Sequence, residues 1–173
     1  MQTHSLIAHP AFAPGRIGKV TARWGRVKDS KIMLRFRVDG ADDMVVPARR
    51  EQVRADDLWQ STCFELFLAY PDGDYREFNF SPSGEWAAYA FSRYRNRIGN
   101  FDPAQPPEIA IEKGNSVFTL TAFLSAAELE RVQHAALTAV IKEAKGRKSY
   151  WAVRHSKLQP DFHEPTCFVL PVP

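Results

Sequence analysis

Residues 58–95, LWQSTCFELFLAYPDGDYREFNFSPSGEWAAYAFSRYR, constrain the fold more than any other stretch. Segment 62–70 is dense in aromatic and branched side chains, the composition of a strand. Pro71-Asp72-Gly73-Asp74 is a hairpin turn, since proline presets φ and glycine tolerates positive φ. Segment 75–81 returns, Pro82-Ser83-Gly84 turns again, and 86–92 makes a third strand. Such a meander is stable only when a second layer covers its apolar face. At 173 residues the rest of the chain is long enough to supply that layer.

The remaining segments read as further strands. Segment 20–27 places Val20, Ala22 and Trp24 on one face, and Trp24 is assigned to the core. Segment 31–39 alternates, with Ile32, Leu34, Phe36 and Val38 to one side, as in a half-buried antiparallel strand. Lys113-Gly114-Asn115-Ser116 joins two strands at 109–112 and 117–124. Strands are also expected at 137–144, 149–155 and 166–170. Ser125-Ala126-Ala127-Glu128 has the pattern of a capping box and predicts a helix of about two turns, ending near Gln133. Residues 93–108 are expected as a long loop, and residues 1–15 as a loose leader along a sheet edge. The sum is about nine or ten strands and one short helix, with no βαβ alternation. The expected fold is all-β: a single-domain antiparallel β-sandwich, jelly-roll-like, spanning 1–173.

The meander also resembles a known family. Leu58-Trp59, the strand Cys63-Phe64-Glu65-Leu66-Phe67, the run 75–86 (YREFNFSPSGEW) and Ala88-Tyr89 look like bacterial DOMON-like proteins. These are related in turn to family 9 carbohydrate-binding modules, through a Trp, a mid-strand Glu six positions later, and a later Tyr and Trp. The resemblance implies a β-sandwich that binds a sugar or a haem in a concave face.

Glu65 is the most informative single residue. A carboxylate among Phe64, Leu66, Phe67 and Leu68 must face solvent, a partner or a ligand, because unpaired burial is costly. A surface charge or an internal pair with an arginine explains it, and so does an acceptor for a sugar hydroxyl; the resemblance favours the second. Trp59, Trp86 and Trp151 are candidates for stacking on a sugar ring, though any one tryptophan is more often core. Trp59 lies where the family places a stacking Trp, Trp151 lies in a late strand, and Trp86 reads as core. Asn79 and Ser81 share a face with Tyr75 and Glu77, so Asn79 can hydrogen-bond beside Glu65 if that face is the concave one. Arg93, Arg95 and Arg97, with Tyr94 among them, can clamp an anionic or hydroxyl-rich ligand, or simply be solvated. His155 shares a strand face with Trp151 and can contact a ligand or, in the haem reading, the iron. DOMON haem domains use a Met and a His, yet the internal methionines are Met33 and Met44, and no motif sets either opposite His155.

No cofactor is required, although haem or a structural calcium near Asp72 and Asp74 or Asp56-Asp57 stays open. The expected partner is a small-molecule ligand, most simply a carbohydrate. A net charge of +3 does not call for nucleic acid, and RYRNR and KEAKGRK are short basic patches. No stretch approaches a membrane span and no export signal is visible, so a cytoplasmic protein with Cys63 and Cys167 reduced is expected. A soluble sugar such as a cell-wall precursor or nucleotide sugar then suits better than a polysaccharide. Glu65 and Glu77, on neighbouring strands, leave a glycosidase pair as the enzymatic alternative. The leading expectation is a non-catalytic module that binds a saccharide through Trp59, Glu65, Asn79, Arg93, Arg95, Trp151 and His155.

Overall fold

In the computed structural model, which describes residues 1–28 and 30–173, one antiparallel ladder folds over on itself. Among the described residues its strands are β1 (Gln2–Ala8), β2 (Lys19–Val27), β3 (Lys31–Asp39), β4 (Cys63–Ala69), β5 (Tyr75–Phe80), β6 (Trp86–Phe91), β7 (Arg97–Asn100), β8 (Glu108–Lys113), β9 (Val117–Ser125), β10 (His134–Lys142), β11 (Lys148–Ala152) and β12 (Leu170–Pro171). The order is β7-β6-β5-β4-β10-β11-β1-β2-β3-β9-β8, with β12 added beside β10. Helical structure among the described residues is confined to short 3-10 turns.

The ladder folds at β1. Gln2 to Leu6 pair with β2, and Ile7 and Ala8 pair with β11. The strand therefore belongs to both layers, and the segment expected as a loose leader is a structural seam. Its β11 partners lie almost a whole chain length away, so local pattern does not reveal the seam. The seam is closed further on, where the Gly15 and Arg16 amides both donate to the Glu143 carboxylate, at 2.7 and 2.6 Å.

Between the layers lies the main core. Ile32, Leu34, Phe36 and Val38 of β3 face Phe64, Leu66 and Leu68 of β4, with Phe78 and Phe80 of β5 alongside. Phe64 stands between Phe36 and Phe118, with ring centroids 5.0 and 6.0 Å away. Trp24 and Trp86 are in this core, as their strand patterns suggest.

The layer made by β4, β5, β6, β10 and β11 is apolar on its other face too. Phe67, Tyr75, Tyr89, Phe91 and Phe168 form a second buried cluster there. That explains the near-continuous apolar composition of β4, which is buried on both sides. A strand with one solvated face would alternate instead.

Three local expectations change. The segment from Ser125 makes a single 3-10 turn, Ala126–Leu129, and not two helical turns. Ser125 Oγ still caps Ala127, but the Glu128 carboxylate accepts Arg76 and the Ala104 amide, leaving no reciprocal bond to propagate a helix. The long loop after β6 contains β7, which pairs back with β6. The reversal is tight because Arg93 and Arg95 take left-handed φ of 102° and 55°. The closing strand is reduced to β12, because Pro165–Cys167 forms a 3-10 turn capped by Glu164.

Trp151 points into the main core from β11, 5% exposed, with its Nε1–H donated to Ser149 Oγ at 2.9 Å. Its neighbours on the strand, Tyr150 and Ala152, take the opposite face, so Trp151 cannot meet a ligand there. Trp151→Ala is expected to destabilise the protein by ~3–5 kcal/mol through a core cavity, read from chemical denaturation. A loss below ~1 kcal/mol would show that the side chain is not a core element.

Candidate functional site

A cavity of about 530 Å³ opens on the outer face of the β4–β5–β6–β10–β11 layer. Its floor is set by strand alternation. Glu65 and Phe67 project from β4, Glu77 from β5, Tyr89 and Phe91 from β6, Val140 from β10 and Tyr150 from β11. Its walls come from segments with no regular pairing: Phe12 after β1, Asp57 and Trp59 before β4, and Pro160, Phe162 and His163 after β11. Arg95 and Arg97 stand at the β6–β7 reversal.

The two carboxylates lie in the middle of the floor. Glu65 is 3% exposed and Glu77 6% exposed. Glu65 pairs with Asn79 across the strands and Glu77 with Phe67, so the carboxylates are diagonal neighbours on one face. Thr138 on β10 donates to Glu65 Oε2 at 2.8 Å. Asn79 donates to Glu77 Oε1 at 2.6 Å and accepts the Cys63 thiol on Oδ1 at 3.3 Å. Among the described residues no hydrogen bond or ion pair reaches Glu65 Oε1. Burial in this apolar floor pushes Glu65 up to about 8, with the charge of Glu77 adding to the shift. Burial also raises Glu77, to about 6, against the Asn79 bond and the charges of Arg97 and Arg95, which hold it down.

A hydrogen-bond relay carries the floor to the cover. The Arg95 amide donates to the Tyr75 hydroxyl at 3.0 Å, and that hydroxyl lies 2.8 Å from His163 Nδ1. All partners are satisfied when Tyr75 donates to Nδ1, which leaves the proton on His163 Nε2, 3.7 Å from Glu77 Oε2. Burial, with Arg95 adding to it, lowers His163 to about 4, so the imidazole is neutral near pH 7.

The cover is fastened by Asp161. It accepts the Tyr94 hydroxyl at 2.6 Å, Arg95 at 2.9 Å, Lys157 at 2.8 Å and the His163 amide at 3.2 Å. Burial works to raise this carboxyl, but the bonds from Lys157, Tyr94 and Arg95 outweigh it and bring it to about 2. At the other end His9, fully buried, accepts the Ala11 amide on Nδ1 and donates Nε2–H to the Lys157 carbonyl. The segment carrying Phe162 and His163 is therefore tied to both the N-terminal strand and the β6–β7 reversal.

The cavity collects Trp59, Glu65 and Arg95 from the expected set. Trp59 is 48% exposed at the mouth, on the 3-10 turn Leu58–Gln60. Asn79, buried on the same sheet face, does not line the cavity and acts by donating to Glu77. Arg93 is exposed at the reversal and does not line the cavity, and Trp151 is in the sandwich core. His155 donates Nε2–H to the Ile7 carbonyl at 2.8 Å and sets its ring edge-on against His9 at 4.8 Å, a brace for the seam. Alternation from Glu65 and Glu77 would have delivered Phe67, Tyr89 and Phe91. No local signal marks Phe12 or His163, which arrive through long-range folding.

The Met and His ligation of a DOMON haem is not assembled at this cavity. Met44 is buried in the sandwich core, Met33 belongs to β3, and neither borders the cavity. His155, the proposed axial partner, already donates to Ile7. Among the described residues no group of three or more His, Cys, Asp or Glu is placed to hold a metal ion. Among them, too, no helix is long and apolar enough to cross a membrane.

No family model matches the chain, and no curated protein matches it in sequence. Its fold is similar to the crystal structure of a candidate carbohydrate-binding protein from Bacteroides uniformis, at a TM-score of 0.67 and 14% identity. The match covers 99% of this chain and 86% of that one. At that identity the likeness establishes the architecture, an antiparallel β-sandwich.

The raised Glu65 makes stability depend on pH. Between about 4.5 and about 8 the folded protein holds a proton that the unfolded chain has released, so stability falls as pH rises through that window. Glu77 adds to this fall at its lower end. Glu65→Gln removes the larger contribution, on the order of 1 kcal/mol per pH unit of the window. Melting curves at pH 5 and pH 8 are expected to show a steeper loss in the wild type than in E65Q; equal slopes would show that Glu65 titrates normally.

Proposed function

We propose that this chain is a non-catalytic binding module for a small saccharide, held in the cavity over Glu65 and Glu77. The observation that carries the proposal is a cavity with apolar aromatic sides and two buried carboxylates in its floor. Cavities of this size and lining hold single small ligands. A sugar presents C–H faces that lie against aromatic planes and hydroxyls that donate to carboxylates. Trp59 supplies an exposed plane at the mouth, Glu65 and Glu77 accept from below, and Arg95 donates at the rim. Asn79 acts behind Glu77 by holding one of its oxygens. The name carried by the Bacteroides uniformis protein supports a carbohydrate ligand. Cys63 and Cys167, both free and buried, accord with a reducing interior and a soluble sugar.

One observation favours a second reading, hydrolysis of a glycoside. Glu65 is held protonated more strongly than Glu77, the division of labour expected of an acid and its partner. Geometry ranks it lower. Both carboxylates rise from the same sheet face, on one side of any ligand, whereas a glycosidase pair flanks the scissile bond. Release of nitrophenol from chromogenic glycosides, lost in E65Q, would support hydrolysis.

The binding proposal is tested by a thermal-shift panel of mono- and disaccharides, followed by calorimetry on those that shift. A ligand confined to the folded state raises the melting temperature by mass action. Trp59→Ala and Glu65→Gln are each expected to weaken the bound sugar about tenfold or more, while the unliganded proteins stay folded. Unchanged affinity in both would remove the site assignment.

A further inference from the structure

The charges around the cavity do not balance within the protein. Facing Glu65 are Glu77 from β5, Cys63 beside it on β4, Tyr89 from β6, Tyr150 from β11, Asp57 before β4, His163 from the cover, and Arg95 and Arg97 from the reversal. The two arginines are engaged elsewhere. Arg95 pairs with Asp161 at 2.9 Å, and Arg97 donates to Asn100 at 2.7 Å and lies 3.8 Å above the Tyr89 ring and 3.8 Å from Asp56. Among the described residues neither Glu65 nor Glu77 has a lysine or arginine within ion-pair distance. The basic group beside Glu77, His163, turns a neutral N–H toward it. A buried carboxylate pair in an apolar floor lowers its charge by holding a proton, and the negative charge that remains is balanced by a cation that comes from outside.

We infer that the sugar bound here carries a protonated amine, which seats between Glu65 and Glu77 against the aromatic floor. This rests on the saccharide reading and narrows it to amino sugars. An ammonium brings three N–H donors and one positive charge, matching the partnerless Glu65 Oε1 and the Glu77 Oε2. Phe67 and Phe91 in the floor and Trp59 at the mouth, where the Lys148 ammonium already lies 5.8 Å from the ring centroid, make an aromatic lining of the kind that favours a cation over a neutral hydroxyl. A positive charge beside Glu65 lowers its hold on the proton it carries near neutral pH, so binding of the ammonium releases proton to solvent.

The test is calorimetry on the whole chain at pH 7 with D-glucosamine, D-glucose and N-acetyl-D-glucosamine, in phosphate and in Tris. Glucosamine is expected to bind about tenfold or more tighter than glucose. Its binding heat is expected to differ between the buffers by the amount that proton release requires. In Glu65→Gln the advantage of glucosamine over glucose should disappear. Should that variant not fold, the wild-type ranking and the buffer dependence decide the matter. Glucose or N-acetylglucosamine binding as tightly as glucosamine would overturn the amine assignment and leave the saccharide reading standing. An advantage that survives in E65Q would overturn it too. If none of the three sugars binds, the amine assignment falls, and the saccharide reading falls with it unless the wider panel registers another sugar.

Discussion

Burial of one sheet on both faces is the constraint on which the rest of this structure depends. The β4–β5–β6 meander meets the second layer through Phe64, Leu66, Phe78 and Phe80, and carries Phe67, Tyr75, Tyr89 and Phe91 on its reverse. Both faces need cover, since aromatic area of that extent is costly to leave in water. The second layer covers the first face completely. The irregular segments cover the other only in part, and the gap between them is the cavity. Two carboxylates placed in such a floor are desolvated by the same apolar surroundings that stabilise the sheet. Their raised pKa values follow chiefly from that environment, with the charge of Glu77 adding to the shift of Glu65.

The cover is held by polar bonds where the sandwich is held by apolar area. Asp161 joins Lys157, Tyr94 and Arg95, and His9 joins residue 157 to the end of β1. Bonds of this type fix position at small net gain, because each exchanges a bond to water for one within the protein. The walls of the cavity therefore rest on a few charge-assisted contacts, while its floor shares the stability of the core. The Arg95–Tyr75–His163 relay couples the two. A change at the reversal alters the group that faces Glu77.

Much of the architecture was legible because period-two alternation reports which side chains share a face. Ile32, Leu34, Phe36 and Val38 of β3 were assignable from spacing alone, and so was the separation of Phe64 from Glu65. The misread elements fail for physical reasons. The pairing of β1 with β11 joins residues separated by almost the whole chain. The capping-box pattern at Ser125 lost its glutamate to Arg76 and a distant amide. Trp151 was placed at a ligand because alternation divides a strand into two faces without saying which face is inside. The site was legible to the extent that it lies on the floor. Glu65 stood out as a charge in an apolar strand, and Glu77 followed from its position on the next.

By itself, then, the sequence determined an all-β chain, the three-stranded meander at its centre and the side chains that share each strand face, since these depend on neighbours a few residues apart. Only the tertiary structure decided that both faces of the meander are buried, that Trp151 belongs to the inner one, and that Phe12, Arg95 and His163 converge over Glu65 and Glu77. Those outcomes depend on contacts between segments separated by tens of residues to more than a hundred, whose closure is set by the global packing of the layers and leaves no periodic trace in the local sequence.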